Sequence, residues 1–404
     1  MRILTFTSLF PNAQAPNYSI FLLQRISHLA TRGNDIEVVA PVPYVPRLLA
    51  ATSVGRVASL PRKETIGGLS VHHPRYPLLP KVSMPLHGFL MYLGCCDRAR
   101  QLHRQSPFDC IDAHYVFPDG VAAILLGKSL GIPVTLTARG SDIHTFTQFA
   151  TIQPQIRWAL RNADGRAAVS SSLAKVMDEL EPMLEPTTVI GNGVDTQRFS
   201  PEDRQSARNR LGFSDADKIV VSVAALRPVK GSDLLLRATA LLRKSGYRSR
   251  VVFVGAGPEL LPLKKLAQQL ECADLVTFAG SVNNEELRHY YSAADVSCIP
   301  SRNEGWPNVL LESLACGTPV VATRVGAAPE ILNDANLGIL VDPTPESICD
   351  GLRRALDQTW NPGRLVEYAG TRTWEGVAAG MEDFLANAIQ TKFSTAHCDA
   401  AAQV

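Results

Sequence analysis

Two carboxylates eight residues apart, Glu304 and Glu312, stand in the stretch Arg302–Cys316, RNEGWPNVLLESLAC. An ionised carboxylate only accepts hydrogen bonds, so its natural ligands are donors. Facing a crevice, Glu304 suits sugar hydroxyls and Glu312 a ribose diol. The amides of Gly305, Trp306, Asn308 and Val309 suit a phosphate or sugar oxygen. The first N–H groups of a helix lack intrahelical partners, and the helix dipole favours negative charge there. Taken alone, the spacing fits equally a solvated loop residue and a helix surface charge, because charged side chains mostly face water.

The elements around these residues decide what they meet. Val296–Pro300 is short and apolar, as a buried parallel strand is. The chain breaks at Asn303-Glu304-Gly305, and Pro307 suits a first helical position. Val309, Leu310, Ser313 and Leu314 form a stripe at helical spacing that Gly317 closes, and Val320–Ala322 reads as the next strand. Glu304 is thereby expected at the carboxyl end of a strand, with Glu312 a turn or more inside the following helix.

The same alternation runs through the chain. Met1–Phe6, Ile20–Arg32 and Ile36–Ala40 read strand, helix, strand, which implies a parallel doubly wound sheet with ligands outside the carboxyl strand ends. Cys110–Ala113 leads to His114-Tyr115, then to the helix Val121–Leu130. Val134–Ala138 ends in Arg139-Gly140-Ser141-Asp142. His114 reads as a core or capping histidine or as a site residue. In the second half, Ile219–Ala224 precedes LRPVKGSD and the helix Leu234–Lys244. Val251–Val254 enters the Gly255-Ala256-Gly257 turn, which lacks the third glycine of a dinucleotide fingerprint, so NAD is not implied. Val276–Gly280 is a further strand. Arg364–Gln390 reads as mostly helical, and 391–404 as a disordered tail.

A length of 404 residues leads one to expect two domains, each large enough for its own core, and the composition is ordinary for a soluble enzyme. The eight cysteines show no metal-ligand spacing and sit mostly in apolar runs, as free thiols of a reducing compartment do. The N-terminus carries no signal-peptide pattern, and no apolar run reaches a membrane span. Asp215-Ala216-Asp217 is the only D-x-D, and it precedes a strand, so it reads as a solvated turn rather than a metal site. Residues 1–190 hold 18 Lys+Arg against 13 Asp+Glu, a net of +5; residues 191–404 hold 22 against 25, a net of −3. The basic half suits anionic lipid or a phosphate-bearing acceptor, or is simply solvated. No basic cluster with interleaved aromatics points to nucleic acid. Leu78, Leu79, Leu86, Phe89, Leu90 and Met91, beside Arg75 and Lys81, form a candidate interfacial patch; the alternative is a helix packed on its domain.

Glu304-x7-Glu312 within GWPNVLLESLACGTPVVAT resembles the donor site of retaining family 4 glycosyltransferases, which have the GT-B fold. The resemblance spans about 1–390. It implies two Rossmann-like α/β domains facing across a cleft. An acceptor domain, 1–190, is completed by a C-terminal helix, about 366–390, that crosses back. A nucleotide-sugar donor domain spans 191–365, after the VIGNGVDTQRF hinge. It implies that Glu304 holds hydroxyls of the transferred sugar and Glu312 the ribose. Lys230-Gly231 would bind the diphosphate, with Arg227 where the family's arginine is displaced. Gly255 lines the nucleotide pocket, Val282 lies where the base stacks, and Gly305, Trp306, Pro307, Asn308 and Val309 complete the donor site. RGSD resembles the variant seen in polysaccharide and teichuronic acid transferases, placing Arg139 and Asp142 among the catalytic candidates, to which His114 is added from its place at the tip of the preceding strand. The family usually has a glycine where Ser19 stands. The implied reaction moves a hexosyl group from a UDP or GDP sugar to a glycan or lipid-linked acceptor. It proceeds with retention, needs no cofactor or metal, and takes place in the cytoplasm or on the cytoplasmic membrane face. A nucleotide-sugar 2-epimerase, or a non-catalytic sugar-binding protein, is the alternative.

Overall fold

The computed structural model describes residues 1–44, 59–78 and 83–401, with side chains to residue 394. Leu79 and Lys81 of the candidate patch, and Cys398, lie outside the described side chains. The chain divides into two compact units, Met1–Asn192 with Trp374–Val404, and Gly193–Thr373.

The first unit contains β1 (Arg2–Phe6), β2 (Asp35–Val39), β3 (Val42–Pro43), β4 (Lys63–Ile66), β5 (Leu69–His72), β6 (Arg75–Tyr76), β7 (Cys110–His114), β8 (Val134–Ala138), β9 (Gly165–Ala168) and β10 (Thr188–Val189). Its main sheet runs β10-β9-β8-β7-β1-β2-β5-β4, and β3 pairs with β6 apart from it. All neighbours are parallel except β4 and β5, a hairpin closed by Gly67-Gly68. Both glycines have positive φ, as a two-residue hairpin turn requires.

One face of that sheet is covered by the helices Ile20–Thr31 and Trp374–Ala401. Leu22, Ile26 and Leu29 pack with Ile3, Val38, Ala167, Met381, Phe384 and Leu385 in one buried cluster. The C-terminal region is two helices, Pro362–Gly370 and Trp374–Ala401, rather than one. The break is tertiary, for Val194 pairs with Thr373 and donates to the Arg372 carbonyl. The last helix also runs past Thr391 to Ala401, where a tail was expected. That segment, TKFSTAHCDAA, has no proline or glycine to end it.

The second unit contains β11 (Lys218–Val223), β12 (Ser249–Val254), β13 (Val276–Gly280), β14 (Val296–Ile299), β15 (Val320–Thr323) and β16 (Gly338–Val341). Its sheet runs β13-β12-β11-β14-β15-β16, parallel throughout. Strand order reverses between β11 and β14. In an open α/β sheet the crevice at such a point, beyond the carboxyl strand ends, is where ligands bind. Among the described residues no helix is long and apolar enough to cross a membrane.

Candidate functional site

The loops after β11 and β14 flank the reversal in the second unit, and each carries one charged side chain into it. Lys230 Nζ donates to Glu304 Oε1 at 2.6 Å, and Ser301 Oγ donates to the same oxygen at 2.7 Å. The Glu304 side chain is 9% exposed and that of Lys230 30%. The two loops are clamped together. Arg302 reaches both Asp233 carboxylate oxygens at 2.7 Å and the Pro228 carbonyl at 2.9 Å. The hydrogen bond from Arg302 holds the Asp233 carboxyl below its usual range.

Two glycines let the backbones close around this pair. Gly231 has φ +66°, and a Cβ there would lie 1.9 Å from the Pro300 carbonyl oxygen. Gly326 has φ +54°, and its Cβ would lie 2.3 Å from the Glu304 carbonyl oxygen. The segment 300–305 is pinned between them. Gly255 ties the loop after β12 to β13, its amide donating to the Gly280 carbonyl at 2.7 Å.

The helix after Glu304 is Asn308–Ala315, one residue later than expected, with Pro307 at the cap and in a non-helical conformation. Gly305, Asn308 and Val309 are half-buried at its start, and Pro307 is buried. Trp306 and Val282 both pack against the same apolar cluster, and the Trp306 indole N–H is buried without a hydrogen-bond partner. Arg227 is exposed at the start of the turn Pro228–Lys230.

Glu312 is a turn inside the helix and half-buried. Its Oε2 accepts from the buried Tyr291 hydroxyl at 3.0 Å. Burial pushes this carboxyl up to about 7, against the pull of Tyr291 and Arg198. Asp217 of the D-x-D stands apart from these residues, paired with Arg250 at 3.3 Å. Among the described residues no three His, Cys, Asp or Glu side chains converge to hold a metal ion.

The first unit gathers Arg139, Asp142 and His114 at the ends of β7 and β8. Asp142 is fully buried, and its oxygens accept from the amides of Val116, Arg139 and Gly140 at 2.8–3.2 Å. It shapes the turn after β8. His114 is also fully buried. Its Nδ1 lies 2.9 Å from Arg139 Nη2, and guanidinium only donates, so Nδ1 accepts. The proton therefore sits on Nε2, 3.0 Å from Asp112 Oδ2. Burial pulls the imidazole down to about 4, so it is neutral at pH 7. Both side chains are fully buried, His114 between Arg139 and Asp112, and Asp142 among backbone amides.

Arg139 is half-buried. It donates to His114 and, at 3.2 Å, to Asn192 Oδ1, and its guanidinium lies over the Phe21 ring, 5.5 Å from the centroid. Sequence reasoning passed over Arg25, which is fully buried and donates to the carbonyls of Ile190 (2.9 Å) and Gly191 (2.6 Å). Its signal was an arginine inside the apolar stripe Leu22, Ile26, Leu29. Ser301, Arg302 and Asp112 were likewise missed and carry no pattern of their own. Of the candidate patch, Leu86 and Phe89 are exposed, Met91 is fully buried, and Arg75 donates inward to the Leu60 and His73 carbonyls.

Two family profiles cover most of the chain, Glycosyltransferase Family 4 over residues 19–198 and Glycosyl transferases group 1 over residues 203–372. A Bacillus subtilis glycosyltransferase ascribed to teichuronic acid biosynthesis is 28% identical over 372 residues, 90% of this chain and 91% of that one. A D-inositol 3-phosphate glycosyltransferase of Acidothermus cellulolyticus is 30% identical over 373 residues, covering 85% of this chain and 78% of that one. Among solved structures, a sucrose-phosphate synthase of Thermosynechococcus elongatus matches 95% of this chain and 97% of its own, with a TM-score of 0.77 at 21% identity. Anabaena HepE in complex with UDP and glucose matches 95% and 99%, with a TM-score of 0.70 at 18% identity.

Proposed function

The chain belongs to glycosyltransferase family 4 with the GT-B fold, and on that premise we propose that it moves a hexosyl group from a UDP or GDP sugar to a hydroxyl of a glycan or lipid-linked acceptor. The unit Gly193–Thr373 binds the donor and the unit Met1–Asn192 the acceptor, in the assembly of a cell-surface polysaccharide. The observation that carries this reading is the Lys230–Glu304 pair at the strand-order reversal. A cation and a carboxylate there match the two halves of a nucleotide sugar.

The pair also implies an order of events. The diphosphate takes Lys230, and Glu304, released from the ammonium, accepts hydrogen bonds from the sugar hydroxyls. Glu312 holds the ribose, Val282 flanks the base, and the amides of Gly305, Trp306, Asn308 and Val309 face sugar and phosphate oxygens. As the bond from the anomeric carbon to the phosphate oxygen breaks, negative charge grows on the diphosphate, and Lys230, Arg227 and the helix N-terminus stabilise it. The acceptor oxygen bonds to the anomeric carbon on the same face and passes its proton to the departing phosphate, so configuration is retained. Glu304 orients the sugar and does not attack it. No metal is required. The enzyme works in the cytoplasm, against the membrane. Leu86, Phe89 and Leu93 are exposed at one end of the helix His87–Gln105, and Arg100 and Arg104 follow towards the other, which supports contact with an anionic bilayer.

The test is a thermal-shift panel of UDP, GDP, ADP, dTDP and CMP with their common sugar adducts, with and without chelator. One diphosphate nucleotide should raise Tm in the wild type and much less in Lys230→Ala. No shift with any nucleotide at millimolar concentration would refute the donor site. The anomeric configuration of the product, read by NMR, tests retention.

A further inference from the structure

The first unit holds charge that the transfer step described above does not use. Arg25 and Arg139 belong to one buried cluster, and among the described residues neither has a carboxylate within ion-pair distance. Every hydrogen bond they make goes to a neutral acceptor. Arg25 donates to the Met381 sulfur, the Ile190 and Gly191 carbonyls and Asn192 Oδ1. Arg139 donates to His114 Nδ1 and Asn192 Oδ1. The two nearest carboxylates are Asp112, beside the neutral His114, and Asp142, held by backbone amides; both attract Arg139 electrostatically but neither pairs with it directly. Both guanidiniums keep a buried Nε without a partner.

A guanidinium taken out of water without a carboxylate is costly. For Arg25 the cost is met by carbonyl oxygens, and full burial makes it structural. Arg139 differs, because it is only half-buried: its Nε–H is buried, but each terminal nitrogen keeps one of its two donors unused. Its face is covered by Phe21, so the free donors lie along its edge. That edge is a planar fork of the kind that pairs with carboxylate and phosphate. His114, kept neutral by burial and lying 3.0 Å from Asp112, and Asn192, which Arg25 also grips, fix the direction in which the fork points.

We propose that Arg139 is the docking point for an anionic group, carboxylate or phosphate, carried by the acceptor. This rests on the reading that the unit Met1–Asn192 binds the acceptor. His114, Asn192 and Arg25 are positioning residues for that fork.

The test uses the full chain saturated with UDP. Glucuronate and glucose 6-phosphate are titrated against glucose, with saturation-transfer NMR as the readout, in the wild type, Arg139→Gln and Arg139→Lys. The surface variant Arg100→Gln controls for net charge. At least one charged sugar should bind ten-fold or more tighter than glucose, and which one does separates a carboxylate from a phosphate. The preference should vanish in Arg139→Gln, persist within about five-fold in Arg139→Lys, which also guards against misfolding of the glutamine variant, and be unchanged in Arg100→Gln. UDP affinity should be equal in all four proteins. Equal binding of charged and neutral sugars by the wild type overturns the proposal, as does a preference that survives Arg139→Gln. Loss of UDP affinity in Arg139→Gln overturns it too, by assigning the arginine to the donor diphosphate. Failure of the wild type to bind UDP at all refutes the donor reading instead, and the sugar titrations without UDP still decide the arginine.

Discussion

Glu304 was legible in the sequence as a carboxylate at a strand end; its partner was not. Lys230 and Glu304 stand seventy-four positions apart, and nothing in the sequence joins them until the sheet brings β11 and β14 together. Their pairing sharpens what each substitution does. Glu304→Gln removes a sugar-orienting acceptor and should lower turnover about 100- to 1000-fold, the scale of a lost transition-state contact. It also frees Lys230, so UDP should bind as well as before or tighter. Lys230→Ala should weaken UDP while leaving uridine unaffected. Isothermal titration of both ligands checks the pair, and weaker UDP binding by Glu304→Gln would contradict it. Glu312 adds a pH dependence. An acid raised to about 7 in the folded state keeps a proton that the unfolded chain has lost, so its burial costs stability as pH rises from the ordinary carboxyl range to 7. Asp119, buried and also pushed up to about 7, acts in the same window. Binding runs the other way, because a ribose diol needs the anion. UDP affinity should rise between pH 6 and 8 in the wild type and be flat in Glu312→Gln.

Elements were read best where packing and local preference agree. Val121–Leu130, Val134–Ala138 and Val276–Gly280 stand as the apolar runs predict. The Gly67-Gly68 hairpin was passed over, although a glycine pair is a strong two-residue turn signal. Ser19 shows the converse. It sits at φ +50°, a conformation that suits the glycine usual at this position in the family. The loops of the donor site depend on such geometry. Gly231→Ala would bring a methyl against the Pro300 carbonyl, so the Lys230 turn must move. We expect a stability loss of about 1–3 kcal/mol and a fall in UDP affinity like that of Lys230→Ala, measured by denaturation and titration on the same protein. The helix His87–Gln105 makes a separate prediction. Phe89→Asp with Leu93→Asp should abolish co-sedimentation with anionic vesicles and leave the donor-site affinity for UDP intact. Wild-type binding to neutral vesicles alone would remove the charge from the explanation.

At the scale of the molecule, two sheets were legible because strand and helix patterns alternate twice. The strand–helix pattern alone does not place the end of the chain; only the family resemblance implied a C-terminal helix, about 366–390, completing the first domain. Trp374–Ala401 groups with Met1–Asn192, so the first unit is made of two pieces separated by the whole of the second. Trp374, Ala378, Met381, Phe384, Leu385 and Ala388 are all buried in it. Glu382 adds polar ties, accepting from Arg32 at 2.8 Å and Asn34 at 2.8 Å. Emptying one large apolar site costs about 2–5 kcal/mol, and a whole domain is stable by about 5–15 kcal/mol. Removing residues 374–404 empties several such sites and uncovers Leu22, Ile26 and Leu29. The truncated chain should therefore lose the cooperative transition of the first unit and gain exposed apolar surface. The unit Gly193–Thr373 gives up no core residue, so its transition should survive and should still rise with UDP. Calorimetry with and without UDP separates these, and hydrogen exchange assigns them by segment. Wild-type protection of β1 and β7 in the truncated chain would show that the last helix lies on the first unit without holding it together.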